Sequence, residues 1–179
     1  MPRPDVIVGC SPPITVAVAA AAAAFVRRAP FIFEVRDLWP AFPIQMGVIR
    51  NPALIAISQL AERVLYRRAR MVVINSPGFK PHLREHGVED ARVRLVPNGV
   101  DVTTFQPMAP DPDLRKSLGL EGKFIVLYIG AHGPANSLDQ LLDAAALLRD
   151  DPRVHVLLIG GGKQKGALET RARQDGLDN

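Results

Sequence analysis

The stretch Lys123–Gly162, KFIVLYIGAHGPANSLDQLLDAAALLRDDPRVHVLLIGGG, decides the fold class. It opens on six apolar or aromatic residues, Phe124–Ile129. A loop of small residues follows, Gly130 to Asn136. Next comes a helical pattern, Leu138–Arg149, with Ser137 and Gln140 spaced as a capping box. A second apolar run, Val154–Ile159, ends in Gly160-Gly161-Gly162. Strand, helix and strand in this order read as a parallel crossover unit. Runs with no polar alternation suit strands covered on both faces.

The same alternation extends towards the N-terminus. Val6–Gly9 reads as a strand and Ile14–Arg28 as an alanine-rich helix after Pro12-Pro13. Phe31–Val35 is a strand. Pro52–Arg68 is a helix with Asn51 as its cap and Pro52 at its first position. Met71–Asn75 is a strand, Ser76-Pro77 opens a short helix ending at Gly87, and Val93–Val96 is a strand stopped by Pro97-Asn98-Gly99. Four prolines between residues 97 and 113 mark a linker. Beyond it Asp111-Pro112 starts a short helix, and another helix follows the glycine triplet and ends near Gly176. Two parallel-sheet domains result, residues 1–105 and 106–179. The second offers only two strands, too few to bury a core alone. The second domain is therefore expected to be incomplete.

Composition narrows the function classes. Cys10 is the only cysteine, which excludes a disulfide framework and a cysteine-rich zinc site. Residues 1–105 carry 13 Lys/Arg against 8 Asp/Glu, and residues 106–179 carry 9 against 10. The basic half is nearly all arginine. It suits an anionic membrane surface or a phosphorylated ligand, or is simply a solvated surface. The longest apolar run, Ile14–Val26, is shorter than the ~20 residues of a membrane span and reads as a buried helix. No signal peptide is evident, so a cytoplasmic location is expected.

Four motifs bear chemistry. His82-Leu83-Arg84-Glu85-His86 matches the H-x-x-E-H pattern of inverted zinc peptidases, with Glu85 as the base. Its helix is short, holds Pro81 and stops at Gly87, and a third ligand would have to come from elsewhere. Histidines at a surface helix end are the preferred reading. Gly160-x-Gly162-x-x-x-Gly166 departs from the dinucleotide fingerprint, because Lys165 stands where the third glycine belongs. A tight strand-to-helix turn is preferred, with Lys163 and Lys165 keeping a phosphate role open. The loop Gly130–Asn136 lies at a strand's carboxyl end, where parallel sheets place ligands, and His132 and Asn136 are polar groups able to face one. Glu34-Val35-Arg36-Asp37-Leu38-Trp39-Pro40 gathers two acids, an arginine and the only tryptophan at another strand end. A binding site is favoured over a buried Arg36–Asp37 pair.

Taken together, FIFEVRDLWP (Phe31–Pro40), PNGVDVTTFQP (Pro97–Pro107), GAHGPANSLDQLL (Gly130–Leu142) and LLIGGGKQKGAL (Leu157–Leu168) resemble the family 4 glycosyltransferases in order and spacing. The chain is most similar to the subgroup that builds bacterial cell-envelope polysaccharides, such as the fucosamine transferases of O-antigen or capsule synthesis. The resemblance implies a GT-B fold and retaining sugar transfer from a nucleotide-sugar donor to a lipid-linked or saccharide acceptor. It implies an acceptor-binding first domain, with Arg36 and Asp37 in a catalytic loop. It implies a donor-binding second domain, with Gly130, His132, Gly133, Asn136 and Lys163 at the donor. Neither metal nor other cofactor is expected, and no nucleic-acid partner. Peripheral contact with the inner membrane face through the arginines is expected.

Three positions depart from the family pattern. Arg36 stands where many members have histidine, and Ala131 and Asn136 where many have arginine and lysine. The family's Glu-x7-Glu motif would fall beyond residue 179 and its glycine-rich first strand and loop are missing, so the resemblance implies that both domains are incomplete. The chain is expected to be the middle of a protein about twice its length and inactive alone. The competing readings are a non-catalytic remnant that binds a partner or membrane, and a UDP-sugar epimerase of the same fold.

Overall fold

The computed structural model describes residues 3–179. The chain divides into two compact units, Met1–Phe105 and Gln106–Asn179.

In the first unit, β1 (Ile7–Ser11), β2 (Phe31–Val35), β3 (Met71–Ile74) and β4 (Val93–Leu95) form one parallel sheet in chain order. Gly9 pairs with Phe33, Phe33 with Val72, and Val72 with Val93. Phe31, Phe33 and Val35 alternate inward along β2, with Val72 and Ile74 of β3 beside them. Each such side chain contributes about 1.5–3 kcal/mol by leaving water. Helix α1 (Ile14–Arg27) lies close on β1. A Cβ on Gly9 would stand 2.6 Å from the Ala20 Cβ, so alanine and glycine together permit the approach. Only Ile14, Ala17 and Ala24 of this helix are buried, and Phe25 and Val26 are open to solvent. The expectation of a buried helix is thus corrected: one side packs on β1, and much of the rest is open to solvent.

Helix α2 (Ala41–Gln45) follows β2 and was not marked by the sequence pattern. Helix α3 (Pro52–Arg68) starts as expected, with Asn51 Oδ1 accepting from the amides of Ala53 at 2.9 Å and Leu54 at 3.3 Å. Tyr66 brings its ring to 5.5 Å from that of Phe33. Helix α4 (Lys80–Glu85) follows a 3₁₀ turn capped by Ser76. Part of the arginine stock is internal: Arg92 donates to the carbonyls of Tyr66 and Ala69, tying β4 to the end of α3.

Residues 96–111 hold no helix or strand and are exposed throughout. Asp101 folds this segment locally. Its carboxylate accepts from the Thr103 amide at 2.9 Å and from both threonine hydroxyls, of Thr103 at 2.6 Å and Thr104 at 2.8 Å.

The second unit holds α5 (Pro112–Ser117), β5 (Phe124–Ile129), α6 (Asp139–Leu147), β6 (Val154–Ile159) and α7 (Lys165–Gln174). β5 and β6 pair in parallel, Phe124 with Val154 through Ile129 with Ile159. Leu138, Leu142 and Leu168 form its small core. Two expectations fail here. Phe124, Leu127 and Ile129 are more than half exposed, so β5 is not covered on both faces. Ser137 does not cap α6 through its side chain. It sits in a left-handed conformation (φ 48°), and its backbone carbonyl, not its hydroxyl, meets the Gln140 amide at 3.0 Å.

Candidate functional site

The second unit places two loops side by side at the carboxyl ends of its strands. The ladder continues one step past β5, with the Gly130 amide donating to the Ile159 carbonyl at 3.0 Å. The His132 amide then donates to Gly161 at 2.8 Å, and the Gln164 amide returns to the His132 carbonyl at 2.9 Å. Gly130–His132 and Gly160–Gln164 thereby become one platform. The glycines are required by this contact. A Cβ on Gly162 would lie 2.5 Å from the His132 carbonyl oxygen, and Gly160 and Gly162 have φ near +150°.

His132 is the buried polar residue of this platform, 4% exposed. Neither ring nitrogen has a protein hydrogen-bond partner. A buried imidazole left unpaired costs about 1–3 kcal/mol. The ring lines a cavity of about 240 Å³ with Leu158, Lys165, Leu168 and Glu169. Gly133 and Asn136 sit further along the loop. The Asn136 amide nitrogen donates to the Ala131 carbonyl at 2.6 Å, so part of its donor capacity is turned inward. Lys163 is exposed at the glycine turn, and the Lys165 ammonium meets the Gly160 carbonyl at 3.3 Å. The structure therefore brings Gly130, His132 and the glycine triplet together, with Gly133, Asn136 and Lys163 on the surrounding loops.

The first unit carries its own strand-end cluster. The Arg36 amide donates to Ser11 at 3.0 Å and the Asn75 side chain donates to the Arg36 carbonyl at 3.2 Å, joining the ends of β1, β2 and β3. Arg36 and Asp37 are both exposed, which removes the reading of a buried ion pair. Asp37 lines a cavity of about 320 Å³ with Leu38, Phe42, Gln45, Phe79 and His82.

Sequence reasoning missed one cluster. Glu62 of α3 is 2% exposed, and its carboxylate meets Tyr66, His82 and His86. The third partner for the two histidines thus comes from 20 residues upstream of His82. Glu85, the acid of the H-x-x-E-H reading, is exposed. Burial, then the charge and hydrogen bond of Glu62, push the Tyr66 phenol far above its ordinary range, so it stays a donor.

A groove of about 490 Å³ runs between α1 and α3, lined by Val18, Phe25, Ile57, Leu60 and Val64. The Arg68 guanidinium stands 5.6 Å over the Phe25 ring. Among the described residues no helix is long and apolar enough to cross a membrane.

Comparison with known proteins assigns both units. Residues 1–99 match the glycosyl transferase 4-like domain, and residues 110–179 match the glycosyl transferases group 1. WcaI of Escherichia coli (strain K12), named as a glycosyl transferase of colanic acid biosynthesis, is 30% identical over 183 residues, covering 99% of this chain and 45% of the relative. A D-inositol 3-phosphate glycosyltransferase of Nocardiopsis dassonvillei is 31% identical over 128 residues, 65% of this chain and 30% of that protein. Among solved structures, Anabaena Alr3699/HepE in complex with UDP-glucose superposes with a TM-score of 0.70 at 24% identity, over 98% of this chain and 46% of that one. Sucrose-phosphate synthase from Thermosynechococcus elongatus gives 0.68 at 19% identity, over 97% and 43%. The chain spans less than half the length of these proteins. With a family model covering more than half of its residues and parallel α/β units like those of GT-B enzymes, the chain belongs to the glycosyl transferase 4-like family.

Proposed function

We propose that this chain serves a retaining glycosyltransferase that moves a sugar from a nucleotide-sugar donor to a lipid-linked or saccharide acceptor during cell-envelope polysaccharide synthesis. The observation that carries the reading is the His132 platform. A buried imidazole with two unpartnered nitrogens sits on glycine-rich backbone at the carboxyl ends of parallel strands. A diphosphate is the ligand such a place suits: it accepts hydrogen bonds, and glycine lets it approach the backbone. HepE has been solved with UDP and with UDP-glucose, which supports a uridine nucleotide. The name of WcaI supports an envelope polysaccharide as the product. Arg36 and Asp37 are assigned to the acceptor side, and Gly130, His132, Gly133, Asn136 and Lys163 to the donor side. The nucleotide sugar is a substrate, and the transfer itself is assigned no metal. The chain alone is expected to bind donor without turnover.

Thermal unfolding with UDP, GDP and UDP-glucose tests the proposal. One nucleotide should raise the midpoint by several degrees, since ligand at a hundred times its Kd adds about 2.7 kcal/mol. A midpoint unmoved by every nucleotide would overturn the donor assignment. Release of free sugar or product by the isolated chain would overturn the claim of inactivity.

A further inference from the structure

We infer that Glu62, His82 and His86 form a divalent-cation site of the zinc type, separate from the proposed donor platform. The donor atoms of the three residues all lie within 4.8 Å of one another. One carboxylate oxygen of Glu62 is 2.8 Å from His82 Nε2, and the other is 3.5 Å from His86 Nε2.

The tautomer of His86 follows from its surroundings. Its Nδ1 lies 2.8 Å from the His82 carbonyl oxygen, which only accepts. Nδ1 therefore carries the hydrogen, and in the neutral ring Nε2 presents a lone pair. That lone pair faces a carboxylate oxygen at a separation too long for an ordinary N–H···O bond. A cation between them resolves the contact. Two ligands at ~2.0–2.1 Å from a tetrahedral zinc stand about 3.4 Å apart, close to the separation seen. The His82 contact is tighter and would have to open by about half an ångström on loading.

The surroundings are those of a ligand set. The His86 Nδ1–H bond to a carbonyl is the outer contact that fixes a ligating imidazole. Tyr66 donates to Glu62 Oε1 at 3.2 Å, the oxygen that also meets His82, and helps to fix the carboxylate. The rings of His82 and His86 are 4.1 Å apart between centroids, one helical turn from each other. Both rings keep partial solvent access, so an ion has an entry route and a fourth position for water. Two imidazoles and one carboxylate suit Zn²⁺ among the common ions, and hard-cation sites built from oxygens alone are a poor match. Filled, the site would clamp α3 to α4 across the edge of the cavity that Asp37 and His82 share.

Titration of the untagged, chelator-treated chain with Zn²⁺ tests this, with Co²⁺ as a spectroscopic probe. One equivalent should bind, raise the unfolding midpoint, and give the visible bands of tetrahedral cobalt. His82→Gln and His86→Gln should each weaken binding about tenfold or more, while His155→Gln should not. Glu62 is too deeply buried for its variant to be decisive, so the two partly exposed histidines carry the test. Absence of saturable one-to-one binding overturns the proposal. So does binding that survives the double histidine variant with its circular dichroism intact.

Discussion

The Cβ position of Gly160 falls 1.9 Å from the carbonyl oxygen of Gly130. No real Cβ fits there, and Gly160 also has φ +153°. Gly160→Ala should therefore cost about 2–4 kcal/mol, combining backbone strain with overpacking. Gly161→Ala is the control: a Cβ there meets nothing within 4 Å. Urea unfolding of the two variants should separate them clearly. Equal stabilities would mean that the two loops are not locked together.

His132→Phe should split stability from binding. Phenylalanine keeps a planar ring in the buried position and removes two nitrogens that no protein group satisfies. The unliganded chain should gain about 1 kcal/mol. Stabilisation by nucleotide should disappear. A variant that still responds to UDP would free His132 from any role at the donor.

Asp101 sets a pH dependence for the turn at residues 101–105, at the end of the first unit. Hydrogen bonds from the Thr103 side chain, the Thr103 amide and the Thr104 hydroxyl lower its pKa to about 2. A carboxylate whose folded pKa is depressed stabilises the fold above its unfolded pKa and loses that contribution as pH falls through the folded one. The turn should thus be held above about pH 4 and released between about pH 4 and 2. Amide exchange at Thr103 and Phe105 reports this directly. Asp101→Ala, which removes the acceptor, should show fast exchange at every pH, and a wild-type profile flat across that window would contradict the argument.

The face formed by α1 and α3 joins exposed Phe25, Val26, Ile57 and Leu60 to the exposed arginines Arg63 and Arg67. Co-sedimentation with phosphatidylglycerol vesicles should exceed that with neutral vesicles and fall with added salt. Replacing Arg63 and Arg67 by glutamine should weaken it by about 1 kcal/mol each. Binding indifferent to lipid charge would show that the arginines are merely solvated.

Local signals were legible in the sequence. Asn51-Pro52 marks the start of α3 because the cap and its amides are two and three residues apart. The run Phe31–Val35 likewise marked β2 as a strand, though not which of its faces turns inward. What failed was non-local. An apolar run such as Phe124–Ile129 carries no record of whether another element covers it. Ser137 has cap chemistry, yet the preceding 3₁₀ turn at Pro134–Asn136 delivers it in the wrong backbone region. Glu62 gives no signal within α3, because its histidine partners arrive only when α4 packs beside α3. Of the candidate site, strand-end position was readable for Asp37 and His132. The burial of His132 was not, since it depends on glycines 28 and 30 residues away, at positions 160 and 162.

The strand order of the first sheet bears on how the molecule is made. Every strand lies beside the one synthesised just before it: Ile7 beside Phe31, Ile32 beside Met71, Val72 beside Val93. Among these four described strands none has to wait for a later segment or be threaded between two others. As the ribosome releases about 5–20 residues per second, each new strand can dock on a finished edge within seconds of its emergence. Among these four strands growth is then vectorial: each addition is made at the newest edge, while β1 keeps the opposite one.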